Sequence, residues 1–95
     1  MNGQMLLFSV FDQKAEAYNR PFAAPTKAHA IRSFGDSLTD PESVIGKHPE
    51  DYFLFQVGIM DEYTGELVGE KVSLGCAVEF IPQPKLVSEA AGGAE

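Results

Sequence analysis

The sequence predicts a small α+β domain, in which an antiparallel sheet of three to four strands carries one main helix. Residues 52–60, YFLFQVGIM, are rich in aromatic and β-branched side chains and precede the turn sequence DEYTG. This pattern is typical of a strand that enters a hairpin. Residues 5–11, MLLFSVF, indicate a second strand, and Thr26 precedes apolar residues at helical spacing. The chain has 95 residues, enough for one domain, which we expect to span residues 1–81.

The first predicted strand, residues 5–11, is apolar at both its odd and its even positions apart from Ser9. Such a run suits a strand that is covered on both faces. The connection after it contains Asn19-Arg20-Pro21, and a proline disfavours helical geometry at the residue before it. Phe22-Ala23-Ala24 could then form a short edge strand, because proline is tolerated at the start of such a strand.

The main helix is predicted over residues 27–38, with Thr26 as its N-cap residue. Asp40 precedes Pro41 and is therefore disfavoured in helical geometry, so the helix should end before it. A single helical turn is expected near Pro49-Glu50-Asp51, where a proline and two acids suit a helix N-terminus. Spacings of three and four residues predict the buried face of the main helix, which comprises Ala28, Ile31, Leu38 and either Phe34 or Gly35.

The second half of the chain should form a hairpin, in which a strand over residues 52–60 turns at Asp61–Gly65 and returns as Glu66–Gly69. Residues 72–81 fit both a strand and a helix, because their apolar residues match either period. A short C-terminal helix is favoured, since Ser73 could cap it and Pro82 would stop it. Residues 82–95 have small and polar side chains and are predicted to be a flexible tail.

The net charge of −7 is unevenly distributed. Residues 1–35 carry four Lys or Arg and two acids, whereas residues 36–95 carry three Lys and twelve acids. An acidic chain repels nucleic-acid phosphates at long range, so any such contact should use the N-terminal third. The N-terminus has no basic segment before its apolar run, and no run reaches the roughly 20 residues of a membrane span. A cytosolic setting is therefore expected.

Sites for metal binding or catalysis are not apparent in the sequence. Cys76 is the single cysteine and is expected to be a small buried apolar residue. His29 and His48 lack the partner one helical turn away that a helical metal site requires. The acidic pairs Glu50-Asp51 and Asp61-Glu62 are expected to be solvated, and phosphate-binding and nucleophile-elbow motifs are absent. We therefore expect neither an enzyme nor a cofactor.

Basic and aromatic residues interleave in the N-terminal third of the chain. Single-stranded nucleic acid is bound by cations that follow the phosphates and by rings that stack on bases. The alternative, which is favoured, places Phe22 in the core and Tyr18 half-buried, with the cations as ordinary solvated side chains. The candidate nucleic-acid-binding residues are Lys14, Tyr18, Arg20, Phe22, Lys27 and Arg32.

Four motifs occur together between residues 6 and 81. They are FDxKAEAY with PF at Phe11–Phe22, AIRxFxD at Ala30–Asp36, HPEDYxLFxxGxxDExTG at His48–Gly65, and LGxAxEF at Leu74–Phe80. In their order and spacing they resemble the small nonstructural protein of gokushoviruses, which are single-stranded DNA phages of the Microviridae. This chain departs from the family in its longer tail after Pro82 and in Cys76, where a polar residue is typical.

The resemblance implies a bacteriophage viral protein that acts in the host cytoplasm. It implies a nonstructural accessory protein for DNA replication that supports synthesis and packaging of the single-stranded genome. Contacts with phage replication or capsid proteins are the expected main activity, and direct DNA binding to a single strand through residues 14–32 is the alternative. No membrane association is expected. The edge of the predicted hairpin could also pair with a second copy in a homodimer.

Overall fold

The structure is a computed structural model, and it describes residues 3–81. An antiparallel sheet, one longer helix and several short helical turns make up this part of the chain. The strands are β1 (Gln4–Asp12), β2 (Ala17–Tyr18), β3 (Phe22–Ala24), β4 (Tyr52–Asp61) and β5 (Leu67–Cys76). The helices are α1 (Lys27–Ser37) and α2 (Val44–Lys47), and Pro49–Asp51 and Ala77–Phe80 form 3₁₀ turns. The α+β class that the sequence predicts is therefore confirmed.

The sheet has the order β2-β1-β4-β5, and β3 pairs with β1 beside β2. All pairs are antiparallel. The prediction of three to four strands was wrong, because β2 and β3 occupy the same edge of β1 as two separate strands. Tyr18 pairs with Phe11 and Phe22 pairs with Phe8, so the register shifts between the two segments. The break contains Pro21, which has no backbone N–H to donate to a ladder.

The hairpin of β4 and β5 agrees with the prediction at its turn but differs from the prediction in the length of its second strand. The turn is confirmed, since Asp61 Oδ1 accepts from the N–H groups of Tyr63 and Thr64 and Gly65 has a φ of 78°. The return strand does not stop at Gly69, however, and continues to Cys76.

The short helix favoured over residues 72–81 was therefore wrong for its first half. Residues 72–76 pair with β4, with Cys76 opposite Phe53 and Ser73 opposite Phe55. Every buried backbone N–H and C=O group needs a hydrogen-bond partner. For residues 72–76, β4 provides these partners, so no helix is needed to provide them. Within residues 72–81, only Ala77–Phe80 is helical, and it forms a 3₁₀ turn. The cap of this turn is Cys76 and not Ser73, because the Cys76 N–H donates to Glu79 Oε2 at 3.1 Å.

Helix α1 begins as predicted, because the Thr26 hydroxyl accepts from the His29 N–H at 3.0 Å. Its buried face is shifted from the predicted one. Ala30, Phe34 and Leu38 are buried at intervals of four residues, together with Gly35, whereas Ala28 is exposed. Ile31 is half-buried and packs against the core from the side. The helix is therefore rotated so that Ala30 and not Ala28 faces the sheet.

The core lies between α1 and one face of the sheet. Its buried members from the sheet are Phe8, Val10, Ala24, Tyr52 and Leu54, and Ala77 closes it from the C-terminal side. Phe80 packs edge-on against Phe34 with ring centroids 5.9 Å apart, which joins the 3₁₀ turn to α1. Since side chains alternate along a strand, Phe11 and Phe55 point to the sheet face that α1 does not cover.

Two predictions concern smaller or more distant parts of the chain. The helical turn near Pro49-Glu50-Asp51 is confirmed, and α2 precedes it without a corresponding prediction. The predicted flexible tail, residues 82–95, lies outside the described residues. Within residues 3–81, none of the helices has the length and apolar character needed to cross a membrane.

Candidate functional site

Three aromatic rings meet on the sheet face opposite α1. The Phe11 and Tyr18 ring centroids are 4.8 Å apart, and Tyr18 packs edge-on against Phe55 at 5.5 Å. Phe11 and Phe55 complete the triangle at 6.4 Å. Phe11 and Phe55 are half-buried, whereas Tyr18 is 40% exposed. We call Phe11, Tyr18 and Phe55 the aromatic cluster; its rings are inclined to one another by 51° to 81° and are partly accessible to solvent.

A cation lies over this cluster. The Nζ atom of Lys71, on β5, is 5.5 Å from the centroid of the Tyr18 ring and 5.9 Å from that of Phe55. An ammonium at such a distance is attracted by the negative face of the ring. The cluster therefore combines exposed aromatic surface with one positive charge.

The sequence around Asp12 explains why Tyr18 returns over Phe11. Asp12 Oδ1 accepts from the N–H groups of Lys14 and Ala15 at 3.0 and 3.2 Å, which forms the turn after β1. Glu16 takes the left-handed conformation with a φ of 57° and completes the reversal. The Ser9 hydroxyl then donates to the Asn19 carbonyl at 2.6 Å and fixes the return segment to β1.

The predicted nucleic-acid-binding residues do not form one surface. Tyr18 belongs to the aromatic cluster, whereas Phe22 is half-buried and stacks on the core residue Phe8 with centroids 5.8 Å apart. Phe22 therefore lies on the helix side of the sheet, as the favoured alternative expected. The four cations are exposed, with Lys14 and Arg20 in the connections around β2 and Lys27 and Arg32 on α1.

The sequence-based prediction of the site did not include Phe11 and Phe55 of the aromatic cluster, or Lys71, which lies over it. A signal for Phe55 was present. In β4 the residues Tyr52, Leu54 and Gln56 are buried, so the other parity of this strand had to carry Phe55 to the opposite face. Lys71 lies outside the N-terminal third, and no local pattern connects it with Tyr18.

Two open cavities lie beside α1. One of about 310 Å³ is lined by the polar residues His29, Arg32, Ser33 and Asp36 of the helix itself. The other, of about 320 Å³, is more apolar and lies where α1, α2 and the sheet edge meet. Its lining residues are Val10, Phe22, Ser33, Phe34, Ser37 and Ile45.

Tyr52 is the buried titratable group of the core. Burial raises the pKa of the Tyr52 hydroxyl above its ordinary value, and the nearby carboxylates of Asp12 and Asp51 raise the pKa further, Asp12 also through a hydrogen bond. Tyr52 also pairs with Asp12 across β1 and β4. This group is held protonated and acts as a structural hydrogen-bond donor.

The remaining candidates for chemistry are dispersed. Cys76 is half-buried, where full burial was expected, and its thiol lies 3.4 Å from the Pro49 carbonyl oxygen. His29 is exposed on α1, and His48 is exposed at the junction of α2 and the 3₁₀ turn. Among the described residues, His, Cys, Asp and Glu side chains form no group of three or more that could hold a metal ion.

Strand β5 presents a second surface. It is the terminal strand of the sheet, and no other strand in residues 3–81 pairs with its outer edge. All residues from Leu67 to Ser73 are exposed. Leu67 and Val68 are adjacent in the strand and are 65% and 61% exposed. We call Leu67–Ser73 the β5 edge; its open backbone groups and apolar side chains suit contact with another polypeptide.

Comparison with known proteins gives one match. The family described as Phage ORF5 protein matches residues 5–80, which includes every strand and helix of the structure except the first residue of β1. No curated protein and no solved structure matches the chain. Since the match covers most of the chain, this protein is a member of the Phage ORF5 protein family.

Proposed function

We propose that this phage protein is a nonstructural accessory factor for synthesis and packaging of a single-stranded DNA genome. In this proposal the phage is a gokushovirus or a related member of the Microviridae, and the protein works in the host cytoplasm. It acts mainly through contacts with phage replication or capsid proteins and not as an enzyme. The family match supports the phage origin, and the four sequence motifs support the narrower assignment.

The observation that carries the preference for protein contacts is the β5 edge. A strand with a free edge can accept another strand, whose main chain then supplies hydrogen bonds while side chains supply specificity. Leu67 and Val68 add exposed apolar surface to this edge. The acidic surroundings oppose nucleic acid, because the chain carries a net charge of −7.

The test is recovery of phage proteins from infected cells with a tagged copy of this protein. We expect a replication or capsid protein to be captured by the natural sequence and lost with Leu67→Ser combined with Val68→Thr. A matched control is Val44→Thr, since Val44 is also exposed but lies on α2. Recovery of neither class of phage protein, or equal recovery by the β5-edge variant, would contradict the proposal.

The second candidate function is direct binding of single-stranded DNA. The aromatic cluster favours it, because Tyr18 is exposed and Lys71 places a cation beside the rings. Base stacking on an aromatic side chain contributes about 1–3 kcal/mol per base. In this second candidate function, DNA contacts the sheet face opposite α1 and not the N-terminal stretch. Of the six residues that the sequence predicted to bind DNA, only Tyr18 lies in this contact surface.

Fluorescence anisotropy with labelled single strands at low salt tests the second candidate. Tyr18→Ala should weaken binding by about 5- to 150-fold, the equivalent of one lost stacking contact. Tyr63→Ala is the matched control, because Tyr63 is 86% exposed in the hairpin turn. Substitution of Lys27 and Arg32 on α1 should matter less than Lys71→Gln. No binding at tens of micromolar protein would exclude direct DNA binding as the function.

A further inference from the structure

The half of the sheet near the β4–β5 turn carries apolar side chains that the helix does not cover. Met5, Met60 and Leu67 are cross-strand neighbours on β1, β4 and β5. By alternation along β1, this row lies on the same face as Phe11, opposite α1. Met5 and Met60 are only half-buried and Leu67 is exposed. The apolar row therefore runs up to the β5 edge and ends there in solvent.

The two edges of the sheet differ in how they are protected. On one side, β2 and β3 have two and three residues and are separated by Asn19-Arg20-Pro21, so that edge offers little continuous backbone. On the other side, β5 has ten residues, and its section Leu67–Gly69 pairs regularly with Met60–Gly58. Of the two sheet edges in residues 3–81, the β5 edge is therefore the longer, although its register with β4 shifts between Gly69 and Val72.

The charged residues around this edge are acidic, with the exception of Lys71. Residues 52–70 contain no Lys or Arg, and four acids lie in or beside the hairpin turn and β5. Glu62, Glu66 and Glu70 are exposed, and Asp61 is half-buried. The single cation of the strand, Lys71, is directed over Tyr18 and Phe55. A second copy of this chain would place a second set of acids against the first, which is unfavourable.

We infer that the β5 edge binds a basic polypeptide segment, in which lysine or arginine alternates with apolar residues, as an added strand. The cationic side chains face Glu66 and Glu70, and the apolar ones extend the row of Met5, Met60 and Leu67. The inference deepens the proposed function and rests on it for biological meaning, since it states the chemistry of the protein partner. It also selects a basic partner over the homodimer that the edge of the predicted hairpin could form.

The test uses the full chain and a fluorescein-labelled peptide of sequence KVKVKVKV in anisotropy titrations at low and moderate salt. We expect saturable binding that weakens as salt rises. Glu66→Gln and Glu70→Gln should each weaken it by about two- to fivefold. Matched controls are Glu42→Gln and Glu50→Gln, since both residues are exposed and lie outside the hairpin. These control variants should bind the peptide like the natural chain.

Two further peptides separate strand addition from simple charge attraction. A KVKVKVKV peptide with N-methyl groups on alternate residues cannot donate a full ladder of hydrogen bonds, and it should lose binding. The peptide EVEVEVEV should not bind. Equal binding of the methylated peptide, or equal effects of the Glu66 and Glu42 variants, would overturn the inference.

Sedimentation of the chain alone tests whether two copies of the chain associate through the β5 edge. A monomer is expected, and a dimer that Leu67→Ser converts to monomer would overturn the inference by assigning the β5 edge to self-association. Failure of the proposed function gives a different result. In that case the peptide binds with the stated variant pattern, but no phage protein is recovered from infected cells.

Discussion

The ammonium group of Lys71 lies 5.5 Å from the centroid of the Tyr18 ring, although the two residues belong to opposite edges of the sheet. Strands β2 and β5 are separated by β1 and β4, which corresponds to roughly 14 Å at the usual strand spacing. The gap is bridged by side chains, because Tyr18 also packs on Phe55 and Lys71 lies over both rings. This contact ties the short strand β2 to the long β4–β5 hairpin.

Replacement of Lys71 by methionine should lower the free energy of unfolding by about 0.5–1 kcal/mol. Methionine keeps an unbranched side chain, one heavy atom shorter than that of lysine, but removes the charge above the rings. Urea unfolding of Lys71→Met, Tyr18→Leu and the double variant measures the coupling. Lys47→Met is the control, since Lys47 is exposed at the end of α2. Strictly additive losses would show that the cation and the ring do not stabilise each other.

Alanine at Gly35 should destabilise the protein, although alanine is the better helix former by about 1 kcal/mol. A Cβ atom on Gly35 would lie 2.9 Å from the Phe80 carbonyl oxygen, so α1 and the 3₁₀ turn would have to separate. We expect a net loss of about 1–3 kcal/mol in urea unfolding. Gly69→Ala is the control, because open space surrounds that position. An increase in stability with Gly35→Ala would contradict the close approach.

Tyr52 makes the protein sensitive to alkaline pH. Its pKa is raised in the folded state, first by burial and then by Asp12 and Asp51. Below pH 10 the tyrosine is protonated in both states, and above it the unfolded chain loses the proton first. The free energy of unfolding should therefore fall as pH rises through 10 towards the folded-state pKa.

The measurement for Tyr52 is urea unfolding of the natural chain and Tyr52→Phe between pH 8 and 11. The variant should be less stable at pH 8 by about 1 kcal/mol, for the lost hydrogen bond, and should show a shallower alkaline decline. Tyr63→Phe retains Tyr52 and should keep the steeper decline. Parallel curves for the natural chain and Tyr52→Phe would contradict this assignment.

Loss of the N-cap at Thr26 should destabilise α1. The hydroxyl of Thr26 accepts the His29 N–H, one of the helix donors that has no partner within the helix. Thr26→Ala should reduce the free energy of unfolding by about 1 kcal/mol, whereas Thr26→Ser should keep most of it. Far-ultraviolet circular dichroism during urea unfolding gives both values. Equal losses in the two variants would show that the hydroxyl is not the stabilising group.

Local chemistry made part of this fold predictable. Thr26 and the turn at Asp61–Gly65 depend on side-chain to backbone hydrogen bonds within three residues, so the sequence alone predicts them. The strand over residues 52–60 is equally local, because its aromatic and β-branched side chains favour extended backbone. Residues 72–76 are different, since their apolar residues fit either period and only pairing with β4 decides between them.

The candidate sites were also predictable from the sequence only in part. The sequence by itself determined that the chain is acidic, forms an α+β domain and has an interleaved basic and aromatic stretch. Only the tertiary structure decided that Phe22 packs on Phe8 while Tyr18 joins Phe11, Phe55 and Lys71 on the opposite face. The reason is the break at Pro21, which shifts the register of the edge by one residue. In a sheet, a shift of one residue moves a side chain to the other face.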